Sequence, residues 1–158
     1  MKLKNTAEAL HALAAYCSRG ERCVSDIKRK LAQWEIPESD QNNILKRLQD
    51  EKFLDEERFC KAYVNDKSKY SKWGAYKIRF ELKKKQIPDP LIREALKNIA
   101  PDENEERLLQ LLQAKQKSVT GNNDFEIRQK LTRFAAGRGF SLEEIEKALR
   151  KLKKPSKN

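Results

Sequence analysis

Basic and aromatic side chains alternate in the middle of this chain, in a pattern suited to binding a polyanion. Between Lys67 and Lys85 there are eight Lys or Arg residues and a single acid, Glu81. The rings interleaved with them are Tyr70, Trp73, Tyr76 and Phe80. Basic groups neutralise phosphates and planar rings stack on unpaired bases, so the segment favours nucleic-acid binding. Two of the rings, Trp73 and Phe80, would serve equally well in a hydrophobic core.

Positive charge is unevenly distributed along the 158 residues, whose formal net charge is +11. Residues 1–52 contribute +2, residues 53–100 contribute +5 and residues 101–158 contribute +4. An excess of this size makes nucleic acids, protein–nucleic acid complexes or acidic protein surfaces the expected partners. The second and third parts of the chain are therefore the parts expected to meet that partner.

No catalytic, cofactor-binding or metal-binding constellation is visible in the sequence. His11 is the only histidine, and it lacks the partners that general-base or metal chemistry needs. Cys17, Cys23 and Cys60 form no CxxC pair, and their odd number predicts buried thiols in a cytoplasmic protein. No apolar run reaches the length of a membrane span. We therefore expect a protein that is not an enzyme, needs no cofactor and has no membrane partner.

An internal repeat positions the charged residues. A five-residue pattern, Ile-basic-x-x-Leu, which we call the pentad, begins at Ile27, Ile78 and Ile127, at intervals of 51 and 49 residues. Each copy predicts the second of three amphipathic helices, which gives an all-α fold of nine helices. We predict three-helix repeat units at residues 1–52, 53–100 and 101–154, followed by a polar tail at residues 155–158.

Local signals refine this helical prediction. Ser25 is expected to cap the second helix, and Ser141 with Glu144 has the spacing of a capping box. In the first two copies a large aliphatic residue follows the pentad leucine by five residues, but Phe140 follows its leucine by nine. The third pentad helix or its turn is therefore expected to be one helical turn longer.

Three stretches of the chain resemble one known family. They run over residues 36–63, 74–87 and 127–149, and their motif residues include Leu54, Asp55, Arg58, Phe59, Tyr63, Gly74, Ile78, Glu81 and Leu82. On these residues the chain resembles the bacterial RecX family, the regulators of the RecA recombinase. Glu35, Lys52 and Gln86 stand where the family often has glycine, so we expect the turn geometry to differ there.

The resemblance implies a fold and a function. The fold is three tandem three-helix units, similar to helix-turn-helix modules, in an elongated and curved molecule. The function is non-enzymatic regulation, mainly inhibition, of RecA in DNA repair, homologous recombination and the SOS response. Family members bind the groove of the RecA–single-stranded DNA filament and modulate its assembly, ATPase and co-protease activities. Some also bind DNA directly, so single-stranded and double-stranded DNA are expected partners of a monomeric chain.

Helical spacing places the basic residues of the pentad helices on their outward faces. Candidate contacts with RecA or DNA are Lys28, Arg29, Lys72, Lys77, Arg79, Lys83, Lys84, Arg128, Arg133 and Arg138. Two other functions fit the same residues. A stand-alone helix-turn-helix regulator would read base edges in duplex DNA, and a protein-interaction scaffold would bind no nucleic acid.

Overall fold

The computed structural model describes residues 3–153, which form nine α-helices and no strand. The helices are α1 (Thr6–Ser18), α2 (Val24–Gln33), α3 (Glu38–Asp50), α4 (Glu56–Lys69), α5 (Ala75–Lys84), α6 (Asp89–Leu96), α7 (Pro101–Gln116), α8 (Asp124–Gly137) and α9 (Leu142–Lys151). The all-α fold is confirmed, and the tail predicted at residues 155–158 lies outside the described residues. None of the helices described is long and apolar enough to cross a bilayer.

The three pentad helices begin at the same position of the repeat. α2, α5 and α8 each start three residues before the pentad isoleucine. The pentad leucines Leu31, Leu82 and Leu131 are buried, with at most 1% exposure. α2 and α5 end two residues after that leucine, whereas α8 continues for six, so the expected extra helical turn is confirmed.

The pentad leucine also helps to end its helix. The Ile36 N–H donates to the Leu31 carbonyl at 3.1 Å, and the Ile87 N–H donates to the Leu82 carbonyl at 3.2 Å. A hydrogen bond across five residues is the mark of a Schellman cap, in which the residue before the donor is left-handed. The five-residue interval seen in the sequence is therefore the interval of a helix cap.

Non-glycine residues hold the left-handed positions of these turns. They are Glu35 with a φ of 55°, Lys52 with a φ of 63° and Gln86 with a φ of 63°. The expectation that turn geometry would differ without glycine is wrong, because these side chains adopt the backbone region that glycine favours. The turn after α8 uses Gly139 at a φ of 98°, and there the Phe140 N–H donates to the Ala135 carbonyl at 3.3 Å.

One of the two predicted helix starts is confirmed. The Ser141 hydroxyl accepts from the Glu144 N–H at 3.1 Å, and the Glu144 carboxylate accepts from the Ser141 N–H at 2.8 Å. Ser25 does not cap α2, because Cys23 occupies the position before that helix. The Ser25 hydroxyl lies inside the first turn, 3.2 Å from the Cys23 sulfur.

The chain divides into two compact units. The first unit comprises Met1–Ala62 with Leu82–Arg93, and the second comprises Tyr63–Glu81 with Glu94–Asn158. A core in the first unit is built from α1, α2, α3 and the turns after them, with Leu13, Ile27, Leu31 and Leu48 fully buried. A core in the second unit is built from α7, α8 and α9, with Leu112, Ala135 and Ile145 fully buried. The division passes through α4, α5 and α6, so the repeat bounds at residues 52 and 100 stay a prediction.

Candidate nucleic-acid interface

The motif residues at the start of α4 hold local structure together. The Asp55 carboxylate accepts from the Arg58 N–H at 3.0 Å, as a helix-capping side chain does. The Arg58 guanidinium donates to the carbonyls of Lys52 and Phe53 at 3.0 and 3.3 Å, and it is ion-paired with Glu21. The apolar motif residues Leu54, Phe59, Ile78 and Leu82 are buried. These motif residues therefore form scaffold rather than a binding surface.

The motif glycine Gly74 packs against the turn that ends α8. Its N–H donates to the Arg138 carbonyl at 2.8 Å, and the Tyr76 N–H donates to the Gly139 carbonyl at 3.0 Å. A Cβ on Gly74 would lie 2.4 Å from the Gly139 carbonyl oxygen, and one on Gly139 would lie 2.5 Å from the Lys77 Cβ. Only residues without a side chain allow two backbone segments to approach so closely.

A shallow groove lies beside this glycine contact, between α5 and the end of α8. It has a volume of about 340 Å³ and is lined by Tyr76, Lys77, Phe80, Glu81, Ala136, Gly137 and Gly139. Tyr76 and Phe80 are 59% and 62% exposed, and their spacing of four residues places them on one face of α5. A Cβ added to Gly137 would meet nothing within 4 Å, so the α8 wall of this α5–α8 groove is open.

Trp73 packs against other side chains of its own segment. Its ring lies edge-on to Tyr63, with 6.5 Å between the centroids. The ammonium groups of Lys67 and Lys77 lie 4.9 and 4.5 Å from the Trp73 ring centroid. Burial raises the pKa of the Tyr63 hydroxyl. Of the two rings for which the sequence left core and surface roles open, Trp73 is half-buried and Phe80 is exposed.

The ten predicted contact residues differ in exposure. The exposed ones are Lys28, Arg29, Lys83, Lys84, Arg128 and Arg133. The half-buried ones are Lys72, Lys77, Arg79 and Arg138, so the expected outward orientation is only partial for Arg79. In the first unit Arg29 lies 3.5 Å from Asp26, and Lys83 lies 3.7 Å from Asp89. Exposed pairs of this kind are weak, but they partly neutralise the two cations.

The basic residues of α8 are arranged differently. Arg128 and Arg133 are exposed and make no ion pair with any residue between 3 and 153. The Arg138 guanidinium instead lies 4.8 Å from the Phe134 ring centroid, and the Lys115 ammonium lies at the same distance from that ring. α8 therefore presents two uncompensated cations, and Arg138 contributes to packing as well as to charge.

A second groove of about 570 Å³, which no motif in the sequence predicts, lies between α7 and α9. Its apolar lining includes Leu108 and Ala148, and Glu105 on its rim binds the ammonium groups of Lys147 and Lys151. These bonds lower the pKa of the Glu105 carboxyl, and Glu105 raises the pKa of the Lys147 ammonium. The only sequence feature that could have indicated this groove is the acidic residues in the first turns of α7 and α9. Acidic residues at these positions also stabilise helix starts, which is the simpler explanation for them.

The three cysteines are buried and unpaired, as the sequence predicts. Burial raises the pKa of each thiol, and it raises that of Cys60 to about 11. A thiol with a raised pKa holds little thiolate near neutral pH, and thiolate is the reactive form. These residues therefore behave as small core side chains.

The fold and these surfaces define a class of protein, in which three-helix domains carry exposed basic side chains. Two family models match the chain: the second three-helix domain of RecX over residues 55–96 and the third three-helix domain of RecX over residues 102–149. The chain therefore belongs to the RecX family, and the resemblance inferred from the motifs is confirmed.

Individual relatives agree with this assignment. The regulatory protein RecX of Prosthecochloris aestuarii is 26% identical over 152 residues, covering 96% of this chain and 98% of the relative. The regulatory protein RecX of Neisseria meningitidis serogroup A is 29% identical over 133 residues, covering 84% of this chain and 83% of the relative.

Two solved structures share the fold. A crystal structure of regulatory protein RecX has a TM-score of 0.85 at 26% identity, covering 92% of this chain and 73% of that chain. The crystal structure of RecX from Lactobacillus salivarius has a TM-score of 0.81 at 22% identity, covering 93% of this chain and 96% of that chain. The second likeness concerns the fold alone.

Proposed function

We propose that this chain is a non-enzymatic regulator, mainly an inhibitor, of a RecA recombinase. It binds the groove of the RecA–single-stranded DNA filament and lowers filament assembly, ATP hydrolysis and co-protease activity during DNA repair and the SOS response. Membership of the RecX family and the net charge of +11 support this proposal. The chain acts in the cytoplasm as a monomer of three repeats, at residues 1–52, 53–100 and 101–154.

The exposed arginines of α8 carry the proposal. Arg128 and Arg133 have no ion-pair partner among the described residues, although α8 has acidic residues in its first turn. Exposed, unpaired cations attract phosphates and acidic protein surfaces, and a nucleoprotein filament offers both. We place the main contact on these two residues with Lys72, Lys77, Arg79, Lys83, Lys84 and Arg138, and a lesser one on Lys28 and Arg29.

Regulation by binding alone requires a difference in affinity between two states of the partner. A chain that binds the active filament less well than an inactive or disassembled form lowers activity as its concentration rises. The direct test is to titrate the chain into RecA filaments on single-stranded DNA and measure ATP hydrolysis together with co-sedimentation. We expect turnover to fall as the chain sediments with the filament. Unchanged turnover at saturating protein, with no co-sedimentation, would contradict the proposal.

A charge-matched pair of variants separates a specific surface from net charge. Arg128→Glu/Arg133→Glu and Lys46→Glu/Lys97→Glu each lower the net charge by the same amount, and all four residues are exposed. We expect the α8 variant to lose inhibition and the control variant to retain it. Equal loss in both would mean that net charge alone produces the effect.

Duplex binding tests the alternative of a stand-alone regulator. Fluorescence anisotropy on duplexes of different sequence, measured over a salt series, distinguishes base readout from phosphate attraction. We expect weak binding that depends steeply on salt and little on sequence. Tight binding to one duplex sequence, without any effect on the filament, would favour the stand-alone regulator.

A further inference from the structure

The α5–α8 groove has features that packing of the fold does not explain. Its two large rings, Tyr76 and Phe80, are more than half exposed, although aromatic side chains are usually buried when they serve packing. They lie on one face of α5, and the opposite wall is formed by the small residues Ala136 and Gly137. Because the residues of this wall are small and the two rings opposite it are exposed, the groove has room for a planar ligand.

The charges near the groove distinguish its interior from its surroundings. Within the groove one cation, Lys77, is accompanied by one carboxylate, Glu81, so the lining has no net charge. Residues 63–81 as a whole carry five Lys or Arg residues against two acids. Phosphates are attracted to the surrounding cations, whereas a neutral and aromatic lining suits an uncharged planar ring.

From these observations we infer that the α5–α8 groove is a stacking site for an unpaired base of single-stranded DNA. Tyr76 and Phe80 provide the stacking surfaces, and the missing side chain of Gly137 leaves the space that the base occupies. The strand backbone follows the neighbouring basic residues, including Lys72 and Arg79. This inference rests on the proposed function, because it identifies what part of the nucleoprotein partner one site on the chain binds.

Gly137 offers a substitution that we expect to fill part of the groove without disturbing the fold. It is the last residue of α8, and apart from its chain neighbours and the backbone of its own helix no atom lies within 4 Å of the position that a Cβ would occupy, so a larger side chain has room. Glycine is a poor helix former, so replacing it by leucine is also compatible with α8. Phe125, which is 69% exposed in the first turn of α8 and does not line the groove, supplies the matched aromatic control.

The experiment measures binding to a fluorescein-labelled 20-nucleotide oligo-dT in the absence of recombinase, over a series of salt concentrations. Loss of stacking on two rings is expected to weaken binding at least about tenfold in Tyr76→Ala/Phe80→Ala. Gly137→Leu is expected to weaken binding by a similar factor, whereas the control Phe125→Ala is expected to bind like the wild type. The salt dependence should keep its slope in the groove variants but become shallower in Arg128→Glu/Arg133→Glu, because stacking releases no counterions.

A second readout reports stacking directly. An oligonucleotide containing 2-aminopurine should lose fluorescence on binding the wild-type chain and keep it with the Gly137→Leu variant. Circular dichroism melting checks that each variant is folded. Binding of the folded groove variants within twofold of the wild type would overturn the inference, as would the absence of any oligonucleotide binding by the wild type at low salt.

The outcomes also separate this inference from the proposed function. If the groove variants bind oligo-dT normally but no longer bind DNA-free recombinase, the groove accepts a protein side chain and the base-stacking inference is wrong. If the wild type binds oligo-dT through the groove but leaves filament ATP hydrolysis unchanged, the inference stands and the regulatory proposal fails.

Discussion

The aromatic residues of the first helical set and those of α5 are used in opposite ways. Tyr16, Trp34 and Phe53 are partly buried and pack against the core of the first unit. Tyr76 and Phe80, on a pentad helix that starts in the same register as α2, are 59% and 62% exposed. The same helical framework therefore carries packed aromatic rings in the first unit and solvent-exposed aromatic rings on α5.

The cations near Tyr16 also differ from the exposed arginines of α8. Tyr16 is covered by the Arg22 guanidinium, 3.8 Å from the ring centroid, and by the Lys30 ammonium at 4.5 Å. Cations held over a ring stabilise the fold and are less available to a partner. The exposed arginines of α8, by contrast, hold no ring and no acid within the described chain. The Ile and Leu of the pentad thus belong to the scaffold. The residues around them determine whether that face of the helix is available to a partner.

The largest expected effect tests the scaffold at the glycine contact. Gly74→Ala places a Cβ 2.4 Å from a backbone carbonyl oxygen, so the two segments must separate. We expect a loss of at least about 2 kcal/mol in the free energy of unfolding, as for other overpacked sites. Gly137→Ala, where the added Cβ meets nothing, should instead be neutral or stabilise by up to about 1 kcal/mol. Chemical denaturation of both variants checks this, and similar values for the two would contradict the packing described.

The next effect compares the two kinds of ring. Tyr16→Ala removes a partly buried ring with two cations above it, and we expect a loss of about 2 kcal/mol. Tyr76→Ala removes an exposed ring and should change the free energy of unfolding by less than about 0.5 kcal/mol. Thermal and urea unfolding of the two variants provide the measurement. A large destabilisation by Tyr76→Ala would mean that this ring belongs to the scaffold after all.

The smallest effect concerns the left-handed turns. Glu35→Gly relieves a backbone strain of about 1 kcal/mol but makes the unfolded chain more flexible, so we expect a net gain of no more than about 0.5–1 kcal/mol. Lys46→Gly in the exposed face of α3 is the control and should cost about 1 kcal/mol. The midpoint of urea unfolding distinguishes the two directions. A destabilising Glu35→Gly would show that the Glu35 side chain contributes more than its backbone costs.

Much of the helical framework was predictable from the sequence because it depends on local patterns. The spacing of Ile and Leu predicted the three pentad helices, and the longer interval between Leu131 and Phe140 predicted the longer α8. The prediction for Ser25 was wrong because Ser25 lies two residues after the capping position, at Cys23, and its hydroxyl has the same chemistry as a capping side chain. The prediction for Glu35 was wrong because the hydrogen bonds of the helix cap hold a non-glycine residue in the left-handed region.

The candidate site was only partly predictable. The basic and aromatic composition around Tyr76 and Phe80 was visible, but their exposure was not, because Trp73 in the same segment packs against Tyr63. The groove depends on the approach of two distant backbone segments at Gly74 and Gly139. A local sequence pattern does not show which distant segments approach each other, so the α8 wall of the groove could not be predicted from the sequence.

We propose that the filament-binding charge lies in the later repeats rather than in the first. The most direct measurement compares filament dissociation constants for Lys28→Glu/Arg29→Glu and Arg128→Glu/Arg133→Glu, which reverse two exposed cations each. We predict that the α8 variant weakens binding at least about tenfold, because its cations are unpaired, and that the α2 variant weakens it less than about threefold. An α2 variant that weakens binding as much as the α8 variant, or more, would contradict a main contact on α8.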